Sequence, residues 1–252
     1  MSYLIDRRSL LTGAAGTAIA GSAMASITSP NGKWDYEVDI LIAGFGLAAC
    51  SAAIEAHDTD PKAKILLLEK SDEAGAGGDT RASGQGLVVA KDKEAMMRYH
   101  RNLSRPNPIP EDLLEFYVDE LMDLHPWIEA RAKEANQHYI QKYPIYEFTE
   151  LGAADAVLRQ ATILPRRGGL WEAFKKNVVK RPVEVWYESP AADLIQDPDS
   201  GEVRGVVVNQ KGRKIRVRAR RGVILACGGY AANPSMLSNY CGYTDCPPAG
   251  SP

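Results

Sequence analysis

The chain has 252 residues, 45% of them hydrophobic and 25% charged, with 30 Lys+Arg against 32 Asp+Glu. That length and balance read as an ordinary globular protein of one large domain or two small ones, with room for a substantial core. A formal net charge of -2 and no basic stripe argue against a nucleic-acid binder.

Cysteine and histidine usage narrows the classes further. Cys50, Cys227, Cys241 and Cys246 are too few and too irregularly spaced for a disulfide framework. Cys241 and Cys246 can pair in an oxidising compartment or stay as thiols. No paired Cys-x-x-Cys units are present, and His57, His100, His125 and His138 form no ligand pattern, so no metal is expected.

Arg7-Arg8 precede Ser9-Leu10-Leu11, a weakly apolar Gly/Ala-rich run and then Ala23-Met24-Ala25. A charged start, a modest apolar region and an A-x-A site predict a signal over residues 1–25 of twin-arginine type, and hence a periplasmic or otherwise exported protein. An uncleaved amphipathic leader or a mistaken start site is the other reading. Residues 26–35 read as a linker. No other stretch approaches the roughly 20 apolar residues of a membrane span, so none is expected after signal removal.

From residue 36 the pattern is strand, turn and helix. Glu37 to Ala43 is apolar on both faces except for Asp39, as a central parallel strand is. Gly44-Phe45-Gly46-Leu47-Ala48-Ala49 follows, the turn that receives a dinucleotide pyrophosphate. The first glycine permits the turn. The second lets the backbone approach the phosphates, and Ala49 keeps helix and strand close. Free N–H groups at the helix start face the anion. The helix runs from Leu47 to His57, and Lys64 to Glu69 is the second strand. Glu69, with Lys70 beside it, stands where such a site places an acid for the ribose hydroxyls.

Ala74 to Gly86 is a second glycine-dense segment, with Asp79, Thr80, Arg81 and Ser83 interleaved. From about 91 to 150 the reading is a helical excursion. Pro108 to Asp112 give a start signal, and Leu113, Leu114, Tyr117, Val118, Leu121 and Leu124 recur at helical spacing. Pro126 is expected to restart the chain. Trp127 and Tyr139 read mainly as packing, with a lesser place in a ligand pocket; Tyr143, Tyr146 and Phe148 carry no pattern that decides between the two. Arg166 and Arg167, which precede the next helix, read as surface arginines rather than anion ligands. Val183 to Glu188 is the next strand. A β-meander is predicted over about 192–219, then a separate buried strand ending in Ala226-Cys227-Gly228-Gly229-Tyr230.

These segments resemble the flavoproteins related to succinate dehydrogenase and fumarate reductase, a family that includes soluble fumarate reductases and 3-oxosteroid dehydrogenases. In that family a Gly-Gly-Asn-Ser/Thr motif and a Ser-Gly-Gln-Gly step cradle the pyrophosphate, ribityl chain and flavin. The resemblance assigns these roles to Gly78, Asp79, Thr80, Ser83, Gly84 and Gly86, with Asp79 in place of the usual asparagine. It places Ala192 at the adenine, and Ala226, Gly228 and Gly229 in a turn that closes over the dinucleotide. Membrane-bound members attach the flavin to a histidine that would fall near Thr80. None is nearby, so the resemblance implies non-covalent FAD.

The fold implied is α/β, a Rossmann-like FAD-binding domain over 36–252 with a parallel sheet, a β-meander and a helical insertion. It is truncated: the resemblance covers about the first half of the family's length. The catalytic residues are therefore not assigned, and a second chain supplying the other half is a possible partner. The activity implied is hydride transfer between flavin and a C–C bond adjacent to a carbonyl or carboxylate, in a small 3-oxosteroid-like or unsaturated-acid substrate. The alternatives are a truncated or split flavoprotein that binds nucleotide without turnover, and a dehydrogenase using NAD.

Overall fold

The computed structural model describes residues 32–142, 146–165, 167–231 and 233–242. The signal expected over 1–25, most of the linker, Tyr143, Arg166 and Cys246 lie outside the described residues. The chain opens with β1 (Tyr36–Ala43), α1 (Leu47–Thr59) and β2 (Ile65–Leu68). It continues through α2 (Gly78–Ala82), β3 (Leu87–Ala90), α3 (Lys93–Leu103), α4 (Glu111–Glu134) and β4 (Tyr139–Lys142). A 3-10 turn at Thr149–Leu151, α5 (Ala153–Ala156), β5 (Val157–Ile163) and α6 (Gly169–Val179) follow. β6 (Val183–Trp186), β7 (Ala191–Gln196), β8 (Val203–Gln210), β9 (Arg213–Leu225) and α7 (Pro234–Cys241) come last.

The main sheet has the order β6-β2-β1-β9-β8-β7. β6, β2, β1 and β9 run parallel, and β9, β8 and β7 form the antiparallel meander. All four residues of β2 are buried, because layers cover both faces of the strand. On one side, Ala49, Ala53 and Ile54 of α1 pack with Leu170, Ala173 and Phe174 of α6. Small alanines bring α1 close to the sheet. On the other side, Val38, Leu41, Leu66 and Leu68 meet Val206, Val208, Val217 and Ala219 of the meander. The architecture is the expected α/β sheet with a meander.

Two local expectations are corrected. The last meander strand and the following buried strand are one strand, β9. Val38 pairs with Ala219 and Ile40 with Gly222, so Asp39 stands opposite two residues, Arg220 and Arg221. That bulge bends β9 from the meander into the parallel sheet without a break. Its tip is not buried: Ile224 is 38% exposed and Leu225 61%.

The excursion is also less helical than its pattern suggests. α4 runs straight through Pro126, which is exposed, so water can serve the carbonyl deprived of its donor. Of the periodic apolar stripe, Leu114 and Val118 are buried, while Leu113 and Tyr117 are exposed. After Ala135 the chain turns into β4, and β3-β5-β4 form a second, antiparallel sheet. β3 and β4 have four residues each, too few for alternation to separate strand from loop. Leu114 and Val118 join Met96, Met97 and Val157 in a core separate from that of the main sheet. No helix among the described residues is long and apolar enough to cross a membrane.

Candidate dinucleotide site

β1, β2 and β9 end together, since Ala43 pairs with Leu68 on one side and with Leu225 on the other. Ligands of open α/β sheets bind outside such carboxyl ends. Gly44 follows β1 with φ +109, and a Cβ there would overlap the Ala226 carbonyl. The first glycine thus serves the junction of β1 and β9 as well as the turn. Gly46 is different. Its φ is -88, and a Cβ would meet only Thr80 Oγ1 at 3.5 Å and Gly77 O at 3.7 Å, ordinary contacts. The surrounding protein atoms alone do not exclude a Cβ at 46.

α1 begins at Leu47 with Gly46 as its N-cap and no side-chain cap. Leu47 N donates to Thr80 Oγ1 at 3.0 Å, which ties α2 to the start of α1. The other N–H groups of this first turn have no intrahelical acceptors and carry the positive end of the helix dipole. A cavity of about 570 Å³ opens in front of them, within the range of small-ligand sites.

The cavity gathers most of the residues expected from sequence. Gly44, Phe45, Gly46, Leu47 and Ala48 line it from the first turn, and Glu69 and Lys70 from the end of β2. Gly78, Asp79 and Thr80 come from α2, and Ala226, Gly228 and Gly229 from the turn after β9. Phe45 offers its main chain: its ring is buried edge-on against Trp171, 4.8 Å between centroids. Glu69 is buried, and one carboxylate oxygen accepts from Ser71 N at 2.8 Å.

Five expected residues are not on the cavity wall. Ala49 is fully buried in the core behind the turn, as its packing role requires. Ser83 closes α2, its N–H donating to Asp79 O at 2.8 Å and its hydroxyl to Thr80 O at 3.2 Å. Gly84 lies beyond it, and Gly86 sits beside the Gln160 amide. Pro190 and Ala191, rather than Ala192, reach the wall near β7.

The cavity also takes in Ser71, Leu225 and Cys227, which sequence reasoning did not assign to a cofactor. Cys227 is exposed rather than buried, and its thiol donates to Ala43 O at 3.5 Å. Cys50, by contrast, is buried and burial pushes its thiol well up, which makes it inert. Burial likewise raises the Tyr187 phenol to about 12, beside the Phe45 ring.

Two further anchors carried no legible signal. Gln85 is buried at φ +58, and its Oε1 accepts from Leu170 N at 2.6 Å, pinning the glycine-rich loop to α6. Gly77 must be small because a Cβ would lie 2.9 Å from Trp171. Trp127 and Tyr139 stand away from the cavity. Trp127 packs on Phe174 and donates to Glu55 at 2.6 Å, and the Tyr139 hydroxyl meets His125 Nδ1 at 2.6 Å.

Residues 39–248 match the family model for the FAD binding domain. The chain belongs to that family. FAD is the cofactor of this domain, and the site fits it: a buried acid at the end of β2, an uncapped helix start and open space at Gly46. The chain is 30% identical over 249 residues to the acrylate reductase flavoprotein subunit of Shewanella woodyi, 92% of this chain and 48% of that protein. Over 61 residues it is 44% identical to the 3-oxosteroid 1-dehydrogenase of Comamonas testosteroni, 24% of this chain and 10% of that one. A 3-ketosteroid-delta4-(5alpha)-dehydrogenase from Rhodococcus jostii superimposes with a TM-score of 0.69 at 24% identity, over 84% of this chain and 50% of that one. This FAD-binding domain spans half or less of the length of the curated relatives it matches.

Proposed function

We propose that this FAD-binding domain serves an oxidoreductase that moves hydride between flavin and a C–C bond next to a carbonyl or carboxylate. The observation that carries the reading is the cavity where β1, β2 and β9 end, with room kept free at Gly46 in front of α1. The relatives bear names of reductases and dehydrogenases for acrylate and 3-oxosteroid compounds, which supports an unsaturated acid or a 3-oxosteroid as substrate.

Bound FAD would supply the hydride-exchanging centre. The chain's own residues bind and orient it. The N–H groups of Gly46, Ala48 and Ala49 are the free donors for the pyrophosphate, with Thr80 holding Leu47 N and fixing the helix start. Glu69 accepts hydrogen bonds from the ribose hydroxyls. The main chain at Ala191 and Ala192 meets the adenine, and Ala226, Gly228 and Gly229 close over the dinucleotide. Ser83, Gly84 and Gly86 carry the ribityl and flavin end. The absence of a histidine near Thr80 supports non-covalent attachment. Arg7-Arg8 and the Ala23-Met24-Ala25 site support export by the twin-arginine route.

A second reading has its own support. Because the chain spans about half of the acrylate reductase subunit, it can hold FAD and still need further polypeptide for turnover. Anaerobic reduction of the bound flavin, followed by mixing with acrylate, fumarate or a 3-oxosteroid alkene, tests both. Reoxidation by one of these compounds supports the oxidoreductase reading. A flavin that stays reduced with all of them supports the second.

A further inference from the structure

We propose that Asp79 is a charge brake on FAD binding: it lines the cavity that receives the dinucleotide, and its negative charge weakens the hold on the phosphates. This rests on the FAD reading of the same cavity. Asp79 immediately precedes Thr80, whose hydroxyl accepts from Leu47 N at 3.0 Å and stands 3.5 Å from where a Gly46 Cβ would be. Asp79 is exposed and lines the same cavity as Thr80 and Gly46.

The charges lining the cavity do not offset it. Among the described residues, Glu69 and Asp79 are its acids and Lys70 its cation. The cation two residues on, Arg81, turns its guanidinium to Ala74 O. FAD brings further negative charge on its pyrophosphate. At separations of several ångströms in a partly solvated cleft, such repulsion is large enough to change affinity severalfold, and salt weakens it. The backbone role of Asp79 is independent of its charge: its carbonyl accepts from Ser83 N at 2.8 Å. An asparagine therefore keeps the frame and removes the repulsion.

The test is the dissociation constant for FAD, read from flavin fluorescence, for the native chain and Asp79→Asn at low and high salt, with thermal melting to confirm equal folding. The expected result is severalfold tighter binding in Asp79→Asn at low salt, with the gap closing as salt rises. Equal affinities would overturn the inference. So would a gap that salt does not change, which points to an amide hydrogen bond, or weaker binding by the variant, which makes the carboxylate a ligand. If neither protein takes up FAD, the FAD reading falls with it; if the native chain binds and the variant is no tighter, only the brake falls.

Discussion

The rim of the cavity and the excursion between β2 and β6 are built on different terms. At the rim the main chain faces the ligand ground, and side chains are kept small or turned away: Gly44, Gly46, Ala48, Gly78 and Gly228 line it, and Phe45 sends its ring into the core. In the excursion side chains do the work, with Leu114, Val118, Met96 and Val157 gathering helices and short strands around their own core. A site made of backbone tolerates few substitutions at a few positions. A region made of side-chain packing tolerates many and announces itself weakly.

The strongest break in that contrast is Gly44→Ala. The φ of +109 and the overlap with the Ala226 carbonyl together force β1 and β9 apart. A loss of about 4 kcal/mol or more in stability is expected by chemical denaturation, with cooperative folding compromised. Next comes Gly46→Val, which separates fold from site. The contacts at 3.5 and 3.7 Å are ordinary for a Cβ, so the first added atom does not clash with the protein. The fold should persist by circular dichroism while FAD binding weakens on the order of 100-fold, about 2.7 kcal/mol. Flavin content equal to that of the native chain would mean that the pyrophosphate lies elsewhere.

Leu114→Ala does the reverse. It should remove about 3 kcal/mol of stability through a cavity in the excursion core, yet leave the FAD affinity of the folded protein unchanged. A parallel loss of affinity in titrations well below the melting point would show that the two regions are coupled.

The smallest effect concerns the surface network linking α1 to the end of α6. Asp58 accepts from Arg181 through two bonds of 2.8 Å, and that hydrogen bonding, helped by the charges of Arg181 and Arg131, holds its carboxyl below the usual range. A lowered folded-state value stabilises above the unfolded carboxylate value of about 3.9 and is lost as pH falls through the folded one. Asp58 is partly exposed, so the effect is screened. Arg181→Met should cost a little stability near neutral pH, and the gap should shrink below about pH 4. Urea titrations across that window read it; a gap that widens in acid would contradict the assignment.

The same contrast explains what was legible in the sequence. The rim was, because a turn that needs positive φ and close approach admits few residues, and Gly44, Gly46 and Glu69 stand in a set order along the chain. The meander was, because alternation over Val203 to Ala219 is long. β3 and β4 were not, since four residues carry no period, and α4 hid its continuity behind Pro126. The unity of β9 was hidden by the bulge at Arg220 and Arg221, which breaks alternation where the strand changes partners. Gln85 and Trp171 were not legible as supports of the site, because what they hold is distant in sequence: Gln85 binds Leu170, and Trp171 presses on Gly77. At β7 the segment that ends in Ala192 reaches the cavity through Pro190 and Ala191.

The central claim is that the cavity at the ends of β1, β2 and β9 holds FAD by its backbone. Equilibrium titration of the purified chain with FAD, followed at the flavin band near ~450 nm, tests it most directly. The account predicts saturable one-to-one binding that Gly46→Val weakens on the order of 100-fold and Leu114→Ala spares. A chain that takes up no FAD, or a Gly46→Val variant that binds as the native chain does, would contradict it.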